Sequence, residues 1–297
     1  MIKLKTMSSV RMLLAATVGG AMLTSASSLS AAVLVTEPFD YAVGDLAGNN
    51  GGIGWAGEWT ETDPDGTATV TVSGLAFSDM PVAGAAAEIR ITNNTGFVDV
   101  IANRALGVDV PTGEDLWISF LYSQPDAPLA STSSRTAELR HGPSLKMRIK
   151  PKNGGSQGVA LAYDSTFAAN GTKNIQDGDT YLVVVRFGDV GQATGKVALM
   201  WVLDAAGYDS VKADGITQAE LDSANILSLS DAHADRSLGI GDVVQLTVSD
   251  SSNTSFAAVY DELRYGTAVE DVAIVIPEPA GLVLLSLGGA MALRRRR

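Results

Sequence analysis

The chain reads Tyr181-Leu182-Val183-Val184-Val185 near its middle and Val197-Ala198-Leu199-Met200-Trp201-Val202-Leu203 shortly afterwards. Both segments are short and are apolar at odd as well as even positions. This pattern predicts two strands that are covered on both faces of their sheet, because a solvated face would show polar residues at every second position.

On both sides of this pair, runs of β-branched and aromatic residues recur between clusters of Gly, Asp, Asn and Ser, which predicts an all-β body. About eleven strands suit a two-sheet antiparallel sandwich. A short helix is expected over Thr217–Ala224, because Thr217 and Glu220 have the spacing of a capping box. The expected strands are Val33–Thr36, Ala68–Ser73, Ala87–Ile91, Asp115–Ser123, Arg135–Arg140, Leu145–Lys150, Gly158–Tyr163, Tyr181–Phe187, Lys196–Leu203, Val243–Val248 and Ala257–Tyr265.

The formal net charge of −12 hides an asymmetry along the chain. Seven of the 21 basic residues lie in the two ends of the chain, whereas only one of the 33 acidic residues does. The body between the ends therefore carries a charge of about −18, which disfavours nucleic acid as a partner.

The chain has no cysteine, which excludes disulfides, thiolate metal ligands and cysteine nucleophiles.

No motif in the sequence predicts a catalytic residue. His141 and His233 form no paired-histidine motif, and both are expected to be solvated in loops. No G-x-S-x-G motif is present, and the adjacent Asp261 and Glu262 should point to opposite faces of a strand. We therefore expect a protein that is not an enzyme. The alternative of a polysaccharide hydrolase stays open because the body is rich in carboxylates.

A basic stripe crosses this acidic body. Lys146, Arg148, Lys150 and Lys152 alternate with apolar residues, and a period of two places all four cations on one face of a sheet. Arg140 lies just before this stripe. The simplest interpretation is a solvated outer face. The alternative is a docking surface for an acidic polysaccharide, recognised by charge and hydrogen bonds.

Two tryptophans lie in a glycine-rich loop near the start of the body. Trp55 and Trp59 have amide and acidic side chains beside them, so they are candidate contacts for a glycan. The alternative is that they anchor the loop on the sandwich, as large aromatic side chains commonly do. Trp117 and Trp201 lie within apolar strands and are expected in the core.

The loop that holds these tryptophans opens with Glu37-Pro38-Phe39-Asp40-Tyr41, and the body closes with Tyr260-Asp261-Glu262-Leu263-Arg264-Tyr265-Gly266. The two motifs resemble those of laminin-G/concanavalin-like jelly-roll modules. The resemblance implies a jelly-roll sandwich whose first and last strands lie close together near the sheet edges. It also implies a structural calcium site at Asp40 and Asp261. The alternative is that Asp261 accepts hydrogen bonds from nearby backbone or from an arginine. The E-x-D-x-x-E strand common in the glycosidases of that fold is not found here.

Residues 1–32 resemble a secretory signal peptide, with a basic start, an apolar segment from Met12 to Leu23 and small residues before a predicted cleavage after Ala32. An uncleaved N-terminal anchor is the alternative. The body is then predicted to form one sandwich domain over residues 33–270.

Residues 276–297 carry Pro277-Glu278-Pro279, an uncharged segment from Ala280 to Leu293, and Arg294-Arg295-Arg296-Arg297. This order resembles the PEP-CTERM sorting signal of Gram-negative bacteria. The resemblance implies processing by an exosortase after a transient stay in the inner membrane, with an ordinary C-terminal anchor as the alternative. The apolar segment would form a helix of about 21 Å, short of the roughly 30 Å hydrocarbon core.

Together these features predict an exported protein of the cell surface or extracellular matrix. A structural or adhesive role in association with exopolysaccharide is the leading interpretation. A dedicated carbohydrate-binding module is the alternative, and a hydrolase is a second one.

Overall fold

The computed structural model describes residues 33–62, 66–80, 84–92, 98–125, 136–142, 147–153, 158–163, 166–170, 175, 178–188, 190, 198–212, 216–224, 229–231, 238–250 and 256–273. The predicted signal peptide and sorting tail lie outside these residues. Within the described ranges, no helix is both long and apolar enough to cross a membrane.

The described part of the chain is mainly β, with three short helices, α1 (Ala205–Val211), α2 (Gln218–Ala224) and α3 (Val269–Val272). The strands are β1 (Val33–Glu37), β2 (Gly44–Asp45), β3 (Thr60–Glu61), β4 (Gly66–Val70), β5 (Ala87–Ile91), β6 (Val98–Ala105), β7 (Leu116–Ser123), β8 (Thr136–His141), β9 (Met147–Asn153), β10 (Gly158–Tyr163), β11 (Thr166–Asn170), β12 (Thr180–Phe187), β13 (Ala198–Leu203), β14 (Leu229–Asp231), β15 (Val243–Asp250) and β16 (Phe256–Gly266).

These strands form two antiparallel sheets. The nine-stranded sheet has the order β14-β13-β12-β7-β16-β5-β4-β2, with β1 paired to β16, and the seven-stranded sheet has the order β11-β10-β9-β8-β15-β6-β3. Apolar side chains from both sheets, such as Ile89, Phe120, Val100 and Leu246, pack into one core between them. The prediction of an all-β, two-sheet antiparallel jelly-roll sandwich is confirmed.

The central strands of the nine-stranded sheet are buried on both faces, as their continuous apolar sequence predicts. One face joins the core between the sheets, and the other packs under α1, α2 and α3. On that second face the rings of Trp117 and Trp201 stack with centroids 5.7 Å apart. Both tryptophans are buried, as predicted.

The ends of the body meet, but not at the edge of a sheet. β1 pairs with the second half of β16, from Val33 opposite Gly266 to Glu37 opposite Leu263. β5 pairs with the first half of the same strand, and β7 runs along its other side. The prediction that the first and last strands lie close together is confirmed, whereas the expected edge position of β16 is wrong.

The predicted capping box is present at the start of α2. The backbone N–H of Glu220 donates to Thr217 Oγ1 over 3.3 Å, and the backbone N–H of Thr217 donates to the Glu220 carboxylate over 2.8 Å. The sequence did not predict α1, which Asp204 caps by accepting a hydrogen bond from the backbone N–H of Gly207.

Candidate functional site

A buried ion pair holds the glycine-rich opening loop. The carboxylate of Glu37, at the end of β1, pairs with the guanidinium of Arg104 on β6, and neither side chain is exposed. Trp59 Nε1 donates to the same carboxylate over 3.0 Å, as does the Tyr41 hydroxyl over 2.9 Å. The backbone N–H of Phe39 adds a fourth hydrogen bond. We call this pair, with Tyr41 and Trp59, the loop anchor.

The other donors of Arg104 reach the backbone and side chains of the loop itself. Its Nε donates to the Gly57 carbonyl over 2.7 Å. Its Nη2 donates to Asn50 Oδ1 and to the Gly51 carbonyl, each over 2.8 Å. One guanidinium therefore fixes three points of the loop, which is the work of a structural clamp rather than of an open binding site.

Glycine is required where this loop passes over β1. Gly52 and Gly54 have φ angles of +71° and +81°. A Cβ atom at either position would lie 2.2 Å from a backbone oxygen, that of Thr36 or of Leu34 respectively. The repeated glycines that mark the loop in the sequence therefore permit its close approach to the strand.

The two tryptophans of the loop anchor it, and the prediction that Trp59 contacts a glycan is wrong. Trp59 is fully buried, and its Nε1 donates a hydrogen bond to Glu37. Trp55 is partly buried, and its Nε1 donates to the Thr36 carbonyl over 3.0 Å. The guanidinium of Arg104 lies 4.9 Å from the centroid of the Trp55 ring. These contacts leave little of either aromatic face for a sugar ring.

A second charged group lies on the seven-stranded sheet, on the face that points away from the core. Here three cations converge on the carboxylate of Glu138. Arg148 donates from Nε and Nη2 over 2.7 Å each, and Arg140 donates from Nε over 2.8 Å. Lys150 Nζ lies 3.1 Å from the same carboxylate. We call Glu138, Arg140, Arg148 and Lys150 the Glu138 cluster.

The Glu138 cluster contains two of the four cations of the predicted basic stripe. Arg148 and Lys150 belong to it as predicted, whereas Lys146 lies outside the described residues. The expected solvation of this face is wrong, because the side chains of Arg148 and Lys150 are only 17% and 10% exposed and that of Glu138 only 2%. The cations are therefore held in a poorly solvated environment.

The strict alternation expected for the stripe ends before Lys152. Arg148 lies opposite Arg140, but the register between β8 and β9 then shifts, and Lys152 lies opposite Ala137. β9 thus carries one extra residue in the segment that includes Pro151. Proline has no N–H to give to a sheet and is tolerated at such irregularities. Because of this shift, the backbone of Lys152 does not lie where it would continue the row formed by Arg148 and Lys150.

The cations determine the protonation of Glu138. Although burial opposes ionisation, the hydrogen bonds from Arg148 and Arg140 and the charge of Lys150 lower the pKa of Glu138 to about 2. Glu138 is therefore ionised at neutral pH and has no proton to give, so it cannot act as a general acid. Burial lowers the pKa of Lys150. The charge of Glu138 opposes this decrease, and the charges of Arg148 and Arg140 add to it.

Two polar atoms without partners among the described residues lie on the same face of the seven-stranded sheet as the Glu138 cluster. Thr247, directly across from Glu138 on β15, is fully buried, and its hydroxyl has no hydrogen-bond partner among the described residues. The same holds for Asp99 Oδ1 on β6, in the part of the chain that the structure describes. Unpaired buried polar atoms are rare in proteins, so this face has unused capacity for a hydrogen-bonding ligand or water.

The predicted calcium residues do not form a cluster of ligands. Asp261 is fully buried, and its two oxygens accept the backbone N–H groups of Leu75 and Glu262 over 2.8 Å each. The alternative prediction, backbone hydrogen bonding of Asp261, is confirmed. Asp40 is exposed, and no group of three metal-binding side chains occurs within the described ranges. Burial raises the pKa of Asp261 to about 7.

The two residues Asp261 and Glu262 do not follow the regular alternation of a strand. The register of β16 against β7 shifts between Asp261 and Arg264, and Glu262 has a φ angle of +50°. The backbone turns at this position, which lets β16 exchange β5 for β1 as its neighbour.

The prediction for His141 is wrong. His141 is the last residue of β8 and is fully buried, and its Nε2 lies 2.6 Å from the Tyr265 hydroxyl. Burial lowers its pKa to about 4, so the ring is neutral at physiological pH. His233 lies outside the described residues.

No role was predicted for Glu37, Arg104 or Glu138, and Arg140 was placed only as a cation just before the basic stripe, without its pairing to Glu138. A signal for the last pair exists, because Glu and Arg two residues apart on a strand share one face. The same spacing occurs at Glu88 and Arg90, which pair over 2.7 Å on the other sheet. No local signal links Glu37 with Arg104, since 67 residues separate them.

Similar architectures occur among solved structures at low sequence identity. A cellulose-induced protein is 13% identical, with 71% of this chain and 91% of that chain covered and a TM-score of 0.41. An endo-1,3-β-glucanase from Streptomyces sioyaensis is 12% identical, with coverages of 80% and 96% and a TM-score of 0.43. Lectin II from Ulex europaeus is 8% identical, with coverages of 70% and 92% and a TM-score of 0.38.

No family model matches the sequence, and no curated protein matches it. Similarities at these identities and TM-scores say nothing about a shared ligand.

Proposed function

We propose that this chain is an exported protein of the cell surface or extracellular matrix that binds an acidic polysaccharide on the outer face of its seven-stranded sheet. The observation that carries the proposal is the convergence of Arg140, Arg148 and Lys150 on the single carboxylate of Glu138. The role is structural or adhesive, with the polysaccharide as the partner.

Placing three cations together around one carboxylate is costly. Burial weakens the screening of these cations by water and lowers the pKa of Lys150, and the attraction of Glu138 is opposed by repulsion from both arginines. A further anion beside them would reduce that repulsion. Carboxylates suit this site because guanidinium groups bind planar oxyanions through paired hydrogen bonds.

Selectivity follows from the charge of the rest of the body. With a net charge of about −18, the body repels polyanions in general. A polyanion is therefore retained only where it reaches the cations of the Glu138 cluster, and nucleic acid is disfavoured because most of its phosphates would face acidic surface.

Binding without hydrolysis is the proposed activity. Glycosidases of the common types need a carboxylic acid that gives up a proton to the leaving group, and Glu138 is ionised instead. A polysaccharide hydrolase is the alternative, and turnover of uronic-acid polymers by the purified protein would establish it.

The test is affinity electrophoresis in native gels that contain polygalacturonate. Arg148→Glu combined with Lys150→Glu should abolish the retardation that the wild-type protein shows, and adding Lys146→Glu should not restore it. Arg90→Glu is the matched control, since Arg90 pairs with Glu88 at the same spacing on the other sheet. Equal retardation of the double variant and the wild type would refute the proposal.

The two ends of the chain provide the proposed route to the cell surface. The signal peptide would direct export, and Pro277-Glu278-Pro279 with the terminal arginines would direct processing by an exosortase. Intact-mass measurement of the exported protein tests this part. A mass lacking both ends supports it, and a mass of the whole chain would contradict it.

A further inference from the structure

A row of polar side chains runs across five strands of the seven-stranded sheet, with one residue from each strand directly opposite the next. Thr60 on β3 lies opposite Asn103 on β6, which lies opposite Gln245 on β15. Gln245 lies opposite Arg140 on β8, which lies opposite Arg148 on β9. Neighbouring strands are about 4.8 Å apart, so the row is about 19 Å long.

The two ends of this row differ in charge and in exposure. Thr60 is exposed, Asn103 and Gln245 are partly exposed, and all three are uncharged. Arg140 and Arg148 are charged and mostly covered, and Glu138 binds both of them. A hydrogen bond of 2.7 Å from Gln245 Nε2 to Asn103 Oδ1 shows that these two amides lie on the same side of the sheet.

We propose that the ligand is a polysaccharide of mixed composition that lies across the strands, with an acidic sugar at the arginine end and a neutral sugar at the amide end. This inference rests on the proposed function and specifies its ligand. Amides and hydroxyls hydrogen-bond to the hydroxyl and amide groups of neutral sugars but do not offset a carboxylate charge. A polymer of uronic acids alone would place a second carboxylate beside Asn103 and Gln245, where no cation of the described row meets it.

The unpaired hydroxyl of Thr247 supports a ligand on this face independently of the row. Thr247 lies opposite Glu138, two residues after Gln245 on the same strand. A buried hydroxyl without a partner among the described residues is unfavourable for stability, and a ligand or a bound water would satisfy it.

The test compares two acidic oligosaccharides of equal length by calorimetric titration. One alternates glucuronate with N-acetylglucosamine, and the other is oligogalacturonate. The wild-type protein should bind the alternating oligosaccharide about tenfold more tightly, which is the effect of one or two well-placed hydrogen bonds. Gln245→Leu and the exposed variant Thr60→Val should each reduce that preference toward equal affinity. Gln218→Leu, at the start of α2 and away from the seven-stranded sheet, is the control.

Each outcome decides between the two proposals. If Arg148→Gln weakens binding of both oligosaccharides but the wild type binds them equally, the mixed-ligand inference is overturned and the proposed function stands. The mixed-ligand inference is also overturned if the preference exists but survives in both Gln245→Leu and Thr60→Val. If Arg148→Gln weakens neither, the proposed function fails, and the inference fails with it.

Discussion

The loop anchor and the Glu138 cluster are both built from a buried glutamate and arginine, yet they are suited to different tasks. In the loop anchor one arginine meets one carboxylate, and its other donors bind the backbone carbonyls and the amide of the same loop. In the Glu138 cluster three cations share one carboxylate on adjacent strands. Among the described contacts, the ratio of cations to carboxylates, rather than burial alone, distinguishes the Glu138 cluster from the loop anchor.

The pKa values of the two glutamates express the same difference. Burial raises the pKa of Glu37, and hydrogen bonds from Trp59 and Tyr41 and the charge of Arg104 only oppose that rise. The pKa of Glu138 is lowered to about 2 despite its burial, because two arginines hydrogen-bond to it and Lys150 adds a third charge. Removing a cation should therefore cost the loop anchor more than it costs the Glu138 cluster.

The largest effect is expected for Arg104→Leu. This change leaves Glu37 buried without its cation and releases the loop, so the free energy of unfolding should fall by about 3–5 kcal/mol. Urea denaturation at neutral pH measures it. Arg90→Leu, which breaks a partly exposed pair with Glu88, is the control and should cost about 1 kcal/mol or less. Equal losses for the two variants would show that the loop anchor is not a special contact.

Asp261 is a buried carboxylate whose oxygens accept hydrogen bonds from backbone N–H groups. Comparing its pH dependence with that of Glu138 tests whether the cations lower the pKa of Glu138. Asp261 has a folded-state pKa of about 7, above its ordinary value of 3.8. Folding therefore favours its protonated form, and its contribution to stability falls as pH rises from about 4 to about 7, by up to about 4 kcal/mol. Urea denaturation across this range should show a weaker fall for Asp261→Asn than for the wild type. An unchanged pH profile in that variant would contradict the account.

The opposite sign is expected for Glu138. Its folded-state pKa of about 2 lies below its ordinary value of 4.5, so its contribution to stability is complete above pH 4.5 and is lost as pH falls toward 2. The loss amounts to about 3 kcal/mol at most. Glu138→Gln should be less stable than the wild type at pH 7 and should lack this part of the acid profile. If both proteins lose stability equally in acid, the cations are not coupled to Glu138.

The smallest effect on stability is expected for Arg148→Gln. Arg140 and Lys150 would still pair with Glu138, so the loss should be about 2 kcal/mol. The same change should weaken the binding of acidic polysaccharide at least tenfold, because it removes the most exposed cation of the Glu138 cluster. Thermal melting and calorimetric titration of the same sample separate these two effects. A large loss of stability with unchanged binding would make the cluster purely structural.

Much of the fold could be predicted because its signals are local. The strands Ala87–Ile91 and Gly158–Tyr163 have the predicted bounds, and the two-sided burial of β12 and β13 follows from their unbroken apolar runs. β6 was missed although it is eight residues long. Its outward positions carry Asp99 and Asn103, residue types that are depleted in strands, and only pairing with β15 makes it a strand.

The candidate site was only partly predictable, because its decisive contacts join different strands. The period of two correctly placed Arg148 and Lys150 on one face, but not the carboxylate that they share. Pro151 is a usable signal for the shift in register that displaces Lys152, because proline cannot donate an N–H to a neighbouring strand. The period of two alone does not take this into account. The burial of Trp59 depends on Glu37, a partner that no spacing in the sequence connects with it.

The most direct test of the distinction between the two regions follows the Nε–Hε signals of assigned arginines by nuclear magnetic resonance during titration with oligogalacturonate. We expect the signals of Arg140 and Arg148 to shift in a saturable way, while those of Arg104 in the loop anchor and Arg90 on the other sheet stay in place. Signals that all remain unchanged, or shifts at Arg90 equal to those at Arg148, would contradict this expectation.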